Sequence, residues 1–270
     1  MSVFHKINSP IFFILPLMFI LFSTQYAAGK DAYPDSHLSS NGFQFLLAQS
    51  DDMDDDFYFP DDYKDEEPSY HIADPLRPFN IAMFHFNDKL YFWVLKPAAR
   101  GWRTIVPETA RKGVKNFFYN LGFPIRFVNS ILQLKGEKAT GELGRFFLNT
   151  MFGVLGFGNP AKNFDELNPD PEDLGQTFGH YGVGHGFYLV LPFWGPSSFR
   201  DGVGSAGDRF LDPVFYVDPW ELRAGTTAVD TVNKTSFRIG DYEAFKDAAL
   251  APYDAMKSAY LQRRLKSVNN

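Results

Sequence analysis

The stretch IAMFHFNDKLYFWVL, residues 81–95, decides how this chain folds. Met83, Phe84, Phe86, Leu90, Tyr91, Trp93, Val94 and Leu95 spread apolar surface over more than the single stripe that a surface helix of a small globular protein buries. At about 1.5 Å per residue it extends roughly 22 Å, short of a bilayer core of about 30 Å. A helix this broadly apolar and this short suits either an ordinary core or a place along a lipid surface.

The pattern recurs downstream. Phe117, Phe118, Tyr119, Leu121, Phe123, Ile125, Phe127, Val128, Ile131 and Leu132 repeat it across Pro124, and Phe146, Phe147, Leu148, Met151, Phe152, Leu155 and Phe157 repeat it again. Trp and Tyr near the ends, with Lys96, Arg100, Arg103 and Lys112 beside them, are what interfacial helices show. The periodicity predicts helices over 80–96, 107–122, 124–134, 138–152, 171–178, 197–209, 219–233 and 241–265. One run, FYLVLP at 187–192, reads as extended, because it is short, apolar and bounded by Gly and Pro. Asp170-Pro171-Glu172-Asp173 and Asp218-Pro219-Trp220-Glu221 each read as an Asp N-cap followed by Pro at the first helical position. Asp74-Pro75 and Asp212-Pro213 are looser versions. The fold class expected is all-α.

Two segments precede this body. Residues 1–29 pair the basic Lys6 with the apolar IFFILPLMFILF at 11–22, the two parts of a secretory signal, too short to remain as an anchor and cut near Gly29. Residues 30–72 lack a sustained period and contain DDMDDDFYFPDDYKDEEP, which repels itself and reads as a disordered acidic linker. That linker hides the charge of the rest: the whole chain is −6, yet residues 73–270, the helical domain 73–266 with a short tail 267–270, carry +3.

No cysteine is present, so disulfides, thiolate catalysis and Cys-ligated metals drop out. The same absence leads to the expectation that the protein is not a lipoprotein, since bacterial acyl anchors are carried on a cysteine after the signal.

The densest unusual stretch is GHYGVGHGFY at 179–188, with four glycines in eight residues. Glycine admits positive φ and close backbone approach. A nucleotide cradle is not indicated, because G-x-G-x-x-G after a strand is missing and no Lys follows. His180 and His185, with Asp201 and Asp208 downstream, raise a metal or general-base centre, but the pair lacks the i, i+4 spacing and the Glu of H-E-x-x-H. Local hydrogen bonding or the lining of a polar passage is the simpler use.

Asp74-Pro75-Leu76 with Phe79-Asn80, then Arg145-Phe146-Phe147-Leu148-Asn149-Thr150, the glycine stretch 179–186, Leu191-Pro192-Phe193-Trp194-Gly195-Pro196 and Arg200-Asp201 follow one another in order, with Asp212-Pro213 and Tyr260-Leu261-Gln262-Arg263 later. In these motifs the chain resembles the MlaA (VacJ) family of outer-membrane phospholipid-transport proteins, over essentially 73–265. The resemblance implies a ring of amphipathic helices within the outer membrane around a polar channel. It implies extraction of phospholipids mislocalised in the outer leaflet and their transfer to a soluble periplasmic carrier, association with a porin trimer, and no cofactor. No nucleic-acid partner is expected.

A head group crosses hydrocarbon slowly because its charge must be desolvated, and a wetted path beside an apolar surface lowers that barrier without breaking a bond. Phe79, Asn80, Gly179, His180, Tyr181, Gly182, Gly184, Arg200 and Asp201 are the residues expected along that path, though Arg200 and Asp201 also fit a local pair at a helix start after Ser197. Two other readings stay open: a soluble periplasmic hydrolase using His180 or His185 with a nearby acid, and a structural protein that only contacts porins.

Overall fold

Helix α1 (Arg77–Leu90) runs without a break through a π-helical turn, Tyr91–Leu95, into α2 (Lys96–Ile105). Pro97 accounts for the wide turn: it lacks an N–H and its ring crowds the carbonyl four residues back, at Trp93, and widening relieves the clash. The helix therefore passes residue 96, where the sequence reading ended it. The structure, a computed structural model, describes residues 72–270, all within one of the chain's two units, Ser40–Asn270. The signal-peptide and linker readings fall outside the described residues.

Helices α3 (Glu108–Leu121), α4 (Phe123–Leu132) and α5 (Gly136–Phe152) follow, then a short α6 (Leu174–His180). Strands β1 (Tyr188–Leu191) and β2 (Gly195–Ser198) pair antiparallel, Tyr188 opposite Ser198 and Leu191 opposite Gly195. After them come α7 (Phe199–Asp208), α8 (Trp220–Thr235), α9 (Asp241–Ala248) and α10 (Pro252–Asn269). The all-α expectation holds apart from this hairpin, whose first strand is the extended run read at 187–192. The long helix read at 241–265 is two, because Pro252 starts a helix and cannot continue one.

Two cap assignments are corrected. Helix α6 starts three residues later than read, capped by Asp173, whose Oδ1 accepts from the Gln176 N–H at 2.7 Å. Asp170 is not the cap, because Glu172 turns inward to accept from Lys135 and Lys138 at 2.8 and 2.7 Å. Helix α8 has no side-chain cap: Pro219 itself sits at the cap position, so Asp218 is outside it. Asp212 does cap, accepting from the Val214 N–H at 2.9 Å.

Among the described residues, an apolar core gathers where α1, the hairpin and α10 meet, around Phe84, Tyr188, Val190, Tyr253, Met256, Tyr260 and Leu261. On α4 and α5 the polarity is inverted. Helix α4 buries Arg126, Asn129 and Ser130 and exposes Ile131 and Leu132. Helix α5 buries Glu142, Arg145 and Asn149 and exposes Phe147, Met151 and Phe152, the last at 74 %. Trp93, also at 74 %, and Leu134, at 84 %, are likewise outside. Among the described residues, buried polar and charged side chains outnumber buried hydrophobic ones. Water is a poor solvent for such a surface, and exposed apolar area on this scale marks contact with protein or lipid. No helix among the described residues is long and apolar enough to cross a membrane.

Candidate functional site

The buried face of α4 is a row of hydrogen-bond donors and acceptors facing α6 and α7. Asn129 donates to Asp208 at 2.8 Å and accepts from Thr177 at 2.9 Å; Gln133 donates to Glu172 at 2.9 Å and to Thr177 at 3.1 Å. Buried polar groups need such partners, and supplying them side by side registers the three helices. Asp208 also accepts the Leu174 N–H at 3.0 Å. Burial outweighs these hydrogen bonds and pushes its carboxyl up to about 6.

A charged cluster joins α6, α7 and α10. Asp201 accepts from Arg200 and Arg264, each at 2.8 Å, and from the Tyr260 hydroxyl, while Arg264 also grips Asp173 at 2.6 and 2.9 Å. Burial raises the Asp201 pKa, but the Arg264 charge and hydrogen bond, then Tyr260 and Arg200, outweigh it, so this carboxyl stays well below the usual range. Arg200 and Asp201 thus form the local pair at a helix start that their adjacency allowed, with Ser198 capping α7 through the Asp201 N–H.

Asn80 is fully enclosed. Its amide donates to Asp74 at 2.8 Å and to the Tyr188 carbonyl at 3.0 Å, and accepts the Val190 N–H at 2.8 Å, stitching α1 to β1. Asn80, Arg200 and Asp201 were expected as polar lining; the structure buries all three within hydrogen-bonded networks, where they hold elements together.

Phe79, His180, Tyr181, Gly182 and Gly184 are on the surface. The loop after α6 turns through Gly182 at φ +84° and Gly186 at φ +72°. It is tied down where the Tyr181 hydroxyl donates to the Leu132 carbonyl at 2.5 Å and where Arg200 donates to the Val183 carbonyl at 3.3 Å. Gly179 sits against Arg200 and Val268, with room for no Cβ, whereas Gly182 and Gly184 face open space. His185 is lowered in pKa by burial and by the Arg200 charge, which keeps the ring neutral at pH 7, and its Nδ1 is buried without a hydrogen-bond partner. No group of three or more His, Cys, Asp or Glu among the described residues could hold a metal ion.

Sequence reasoning missed a second buried cluster, between α3, α4 and α5. Arg126 Nε donates to both Glu142 oxygens at 3.0 Å, and Arg145 donates to the Tyr119 hydroxyl at 2.7 Å. Both guanidiniums lie over the Tyr119 ring, 3.6 and 4.0 Å from its centre. The signal was present as polar residues three and four apart, Arg126, Asn129, Ser130 and Gln133 on one helix and Glu142, Arg145 and Asn149 on the next.

A family model described as "MlaA lipoprotein" matches residues 72–267. The chain is 36 % identical over 194 residues to the intermembrane phospholipid transport system lipoprotein MlaA of Escherichia coli (strain K12), covering 71 % of this chain and 76 % of that one. To the protein of the same name from Haemophilus influenzae it is 34 % identical over 203 residues, covering 73 % and 80 %. A solved structure, determined to explain how bacterial outer membrane lipid asymmetry is maintained, matches with a TM-score of 0.65 and 34 % identity over 73 % of this chain and all of that one.

These relatives correct one expectation. The cysteine-free composition led to the reading that the protein is not a lipoprotein, whereas the family model and both relatives are lipoproteins by description. With the family model spanning the described helices almost from end to end, the chain belongs to the MlaA lipoprotein family.

Proposed function

We propose that this chain carries phospholipids between membranes, removing those misplaced in the outer leaflet of the outer membrane and thereby maintaining lipid asymmetry. The observation that carries the reading is the inverted polarity of α4 and α5: Arg126, Asn129, Glu142, Arg145 and Asn149 are inside, while Ile131, Leu132, Phe147, Met151 and Phe152 are outside. Acyl chains satisfy the outer face and polar head groups the inner one, an arrangement suited to a molecule that is itself half apolar and half charged. In this reading the helices surround a polar channel on the periplasmic side of the outer membrane.

The surface loop of His180, Tyr181, Gly182 and Gly184, with Phe79, borders the head-group path. Gly179, Asn80, Arg200 and Asp201 hold its frame from within. Lipid leaves to a soluble periplasmic carrier, and a porin trimer is the protein's neighbour in the membrane. The relatives named for intermembrane phospholipid transport support the cargo and the direction of the argument.

The test is a deletion strain assayed for phospholipid in the outer leaflet and for sensitivity to detergent and chelator. Accumulated outer-leaflet phospholipid, reversed by the cloned gene, is expected; unchanged asymmetry would end the reading.

A further inference from the structure

The cluster at Tyr119 contains more positive than negative charge. Arg126 has Glu142, but Arg145 has no carboxylate: its one hydrogen bond runs from Nη1 to the Tyr119 hydroxyl, whose contact with Glu142, at 3.4 Å, is long. Its Nε is enclosed and has no hydrogen-bond partner, and only 9 % of the residue is exposed. A guanidinium in such a place loses its hydration and gains little from a ring face alone, so the arrangement calls for an anion. Stacking on Tyr119 leaves the edge of the guanidinium for an incoming ligand, and a planar fork of donors suits the several oxygens of a phosphate better than a single acceptor does.

We propose that Arg145, with Arg126 and Tyr119 as its support, is a binding site for a phosphate group bearing negative charge. Its use for a lipid head group rests on the transport reading above; the site itself rests on the enclosed Arg145 guanidinium, which has no carboxylate partner and an unbonded Nε. Glu142, paired with Arg126 beside the site, offsets part of its positive charge and keeps binding reversible, as a site that must release its cargo requires.

The full chain in detergent is titrated with dihexanoyl-phosphatidylglycerol, with inorganic phosphate and with uncharged dihexanoylglycerol, following the phosphorus resonance or, for the uncharged ligand, melting temperature. Wild type is expected to saturate with the phospholipid, Arg145→Gln to bind it at least tenfold more weakly, and Arg145→Lys to fall between, since lysine keeps the charge without the fork. Dihexanoylglycerol should not distinguish the three. Saturation by inorganic phosphate alone, again lost in Arg145→Gln, would support the site and assign it to free phosphate.

Equal binding by wild type and Arg145→Gln would overturn the proposal while leaving transport, which is read in cells, untouched. Intact asymmetry in the deletion strain would do the reverse. Should Arg145→Gln fail to fold, Glu142→Gln carries the test: without the offsetting carboxylate its melting temperature should rise more with phosphate than that of wild type. An equal or smaller rise would overturn the site.

Discussion

Arg264, on the last helix, grips Asp173, the cap of a helix ninety-one residues earlier, through two bonds of 2.6 and 2.9 Å, and reaches Asp201 with its third nitrogen. One side chain thereby joins α6, α7 and α10. Arg264→Met should leave two carboxylates short of a cation, and breaking a buried pair costs about 3 kcal/mol or more. The check is urea unfolding in detergent, with a midpoint well below wild type.

Asp208 offers a titration of opposite sign to its neighbours. Its folded pKa, about 6, lies above the ordinary 3.8, so between those values the folded state binds more protons than the unfolded and stability falls as pH rises. Asp173 and Asp201 are held low, so their contribution is present above the unfolded pKa and is lost as pH falls. Asp208→Asn removes only the first effect. Its stability relative to wild type should therefore improve from pH 4 to pH 6 and then level off, measured as unfolding midpoints across that range; a flat difference would contradict the assignment.

Glycines separate close packing from open surface. A Cβ on Gly204 would lie 2.4 Å from the Gly175 nitrogen, a backbone atom that cannot swing away, so Gly204→Ala should push α7 off α6 at a cost of about 1–3 kcal/mol. Gly184→Ala meets nothing within 4 Å and should melt like wild type. Thermal melts of the two variants side by side read the difference.

Met151 and Phe152 stand outside at the end of α5. Fully burying one such side chain is worth about 1.5–3 kcal/mol, so Met151→Ser with Phe152→Ser should weaken association with phosphatidylethanolamine vesicles by tenfold or more. Because neither residue supports the interior, the fold should survive. Flotation with vesicles measures the first effect and circular dichroism the second.

Much of the helical layout was legible. Broad apolar patterning with Pro and Gly punctuation placed α3, α4 and α5 within a few residues, and the run at 187–192 was extended as read. The helix read over 80–96 was cut short, since Pro97 widens its turn rather than ending it, and the packing of Tyr91 against Tyr242 and Glu243 around that turn comes from a distant helix. Asp170 was misleading for a similar reason: the Asp-Pro signal is local, and the pull of Lys135 and Lys138 on Glu172 comes from another helix. Of the expected site, the glycine loop emerged at the surface, while Asn80, Arg200 and Asp201 turned inward.

Residue order alone determined where most helices lie, though not every end, because capping, proline geometry and 3.6-residue spacing act over one or two turns. It also marked two faces on α4 and α5, one aromatic and one polar. Which face would be the inside was decided only by the tertiary structure. A helical stripe is silent about its surroundings, and the same pattern serves a dry core in water or an aromatic exterior in lipid; the partners brought from distant segments, Asp208 for Asn129 and Glu172 for Gln133, are what turned the polar face inward.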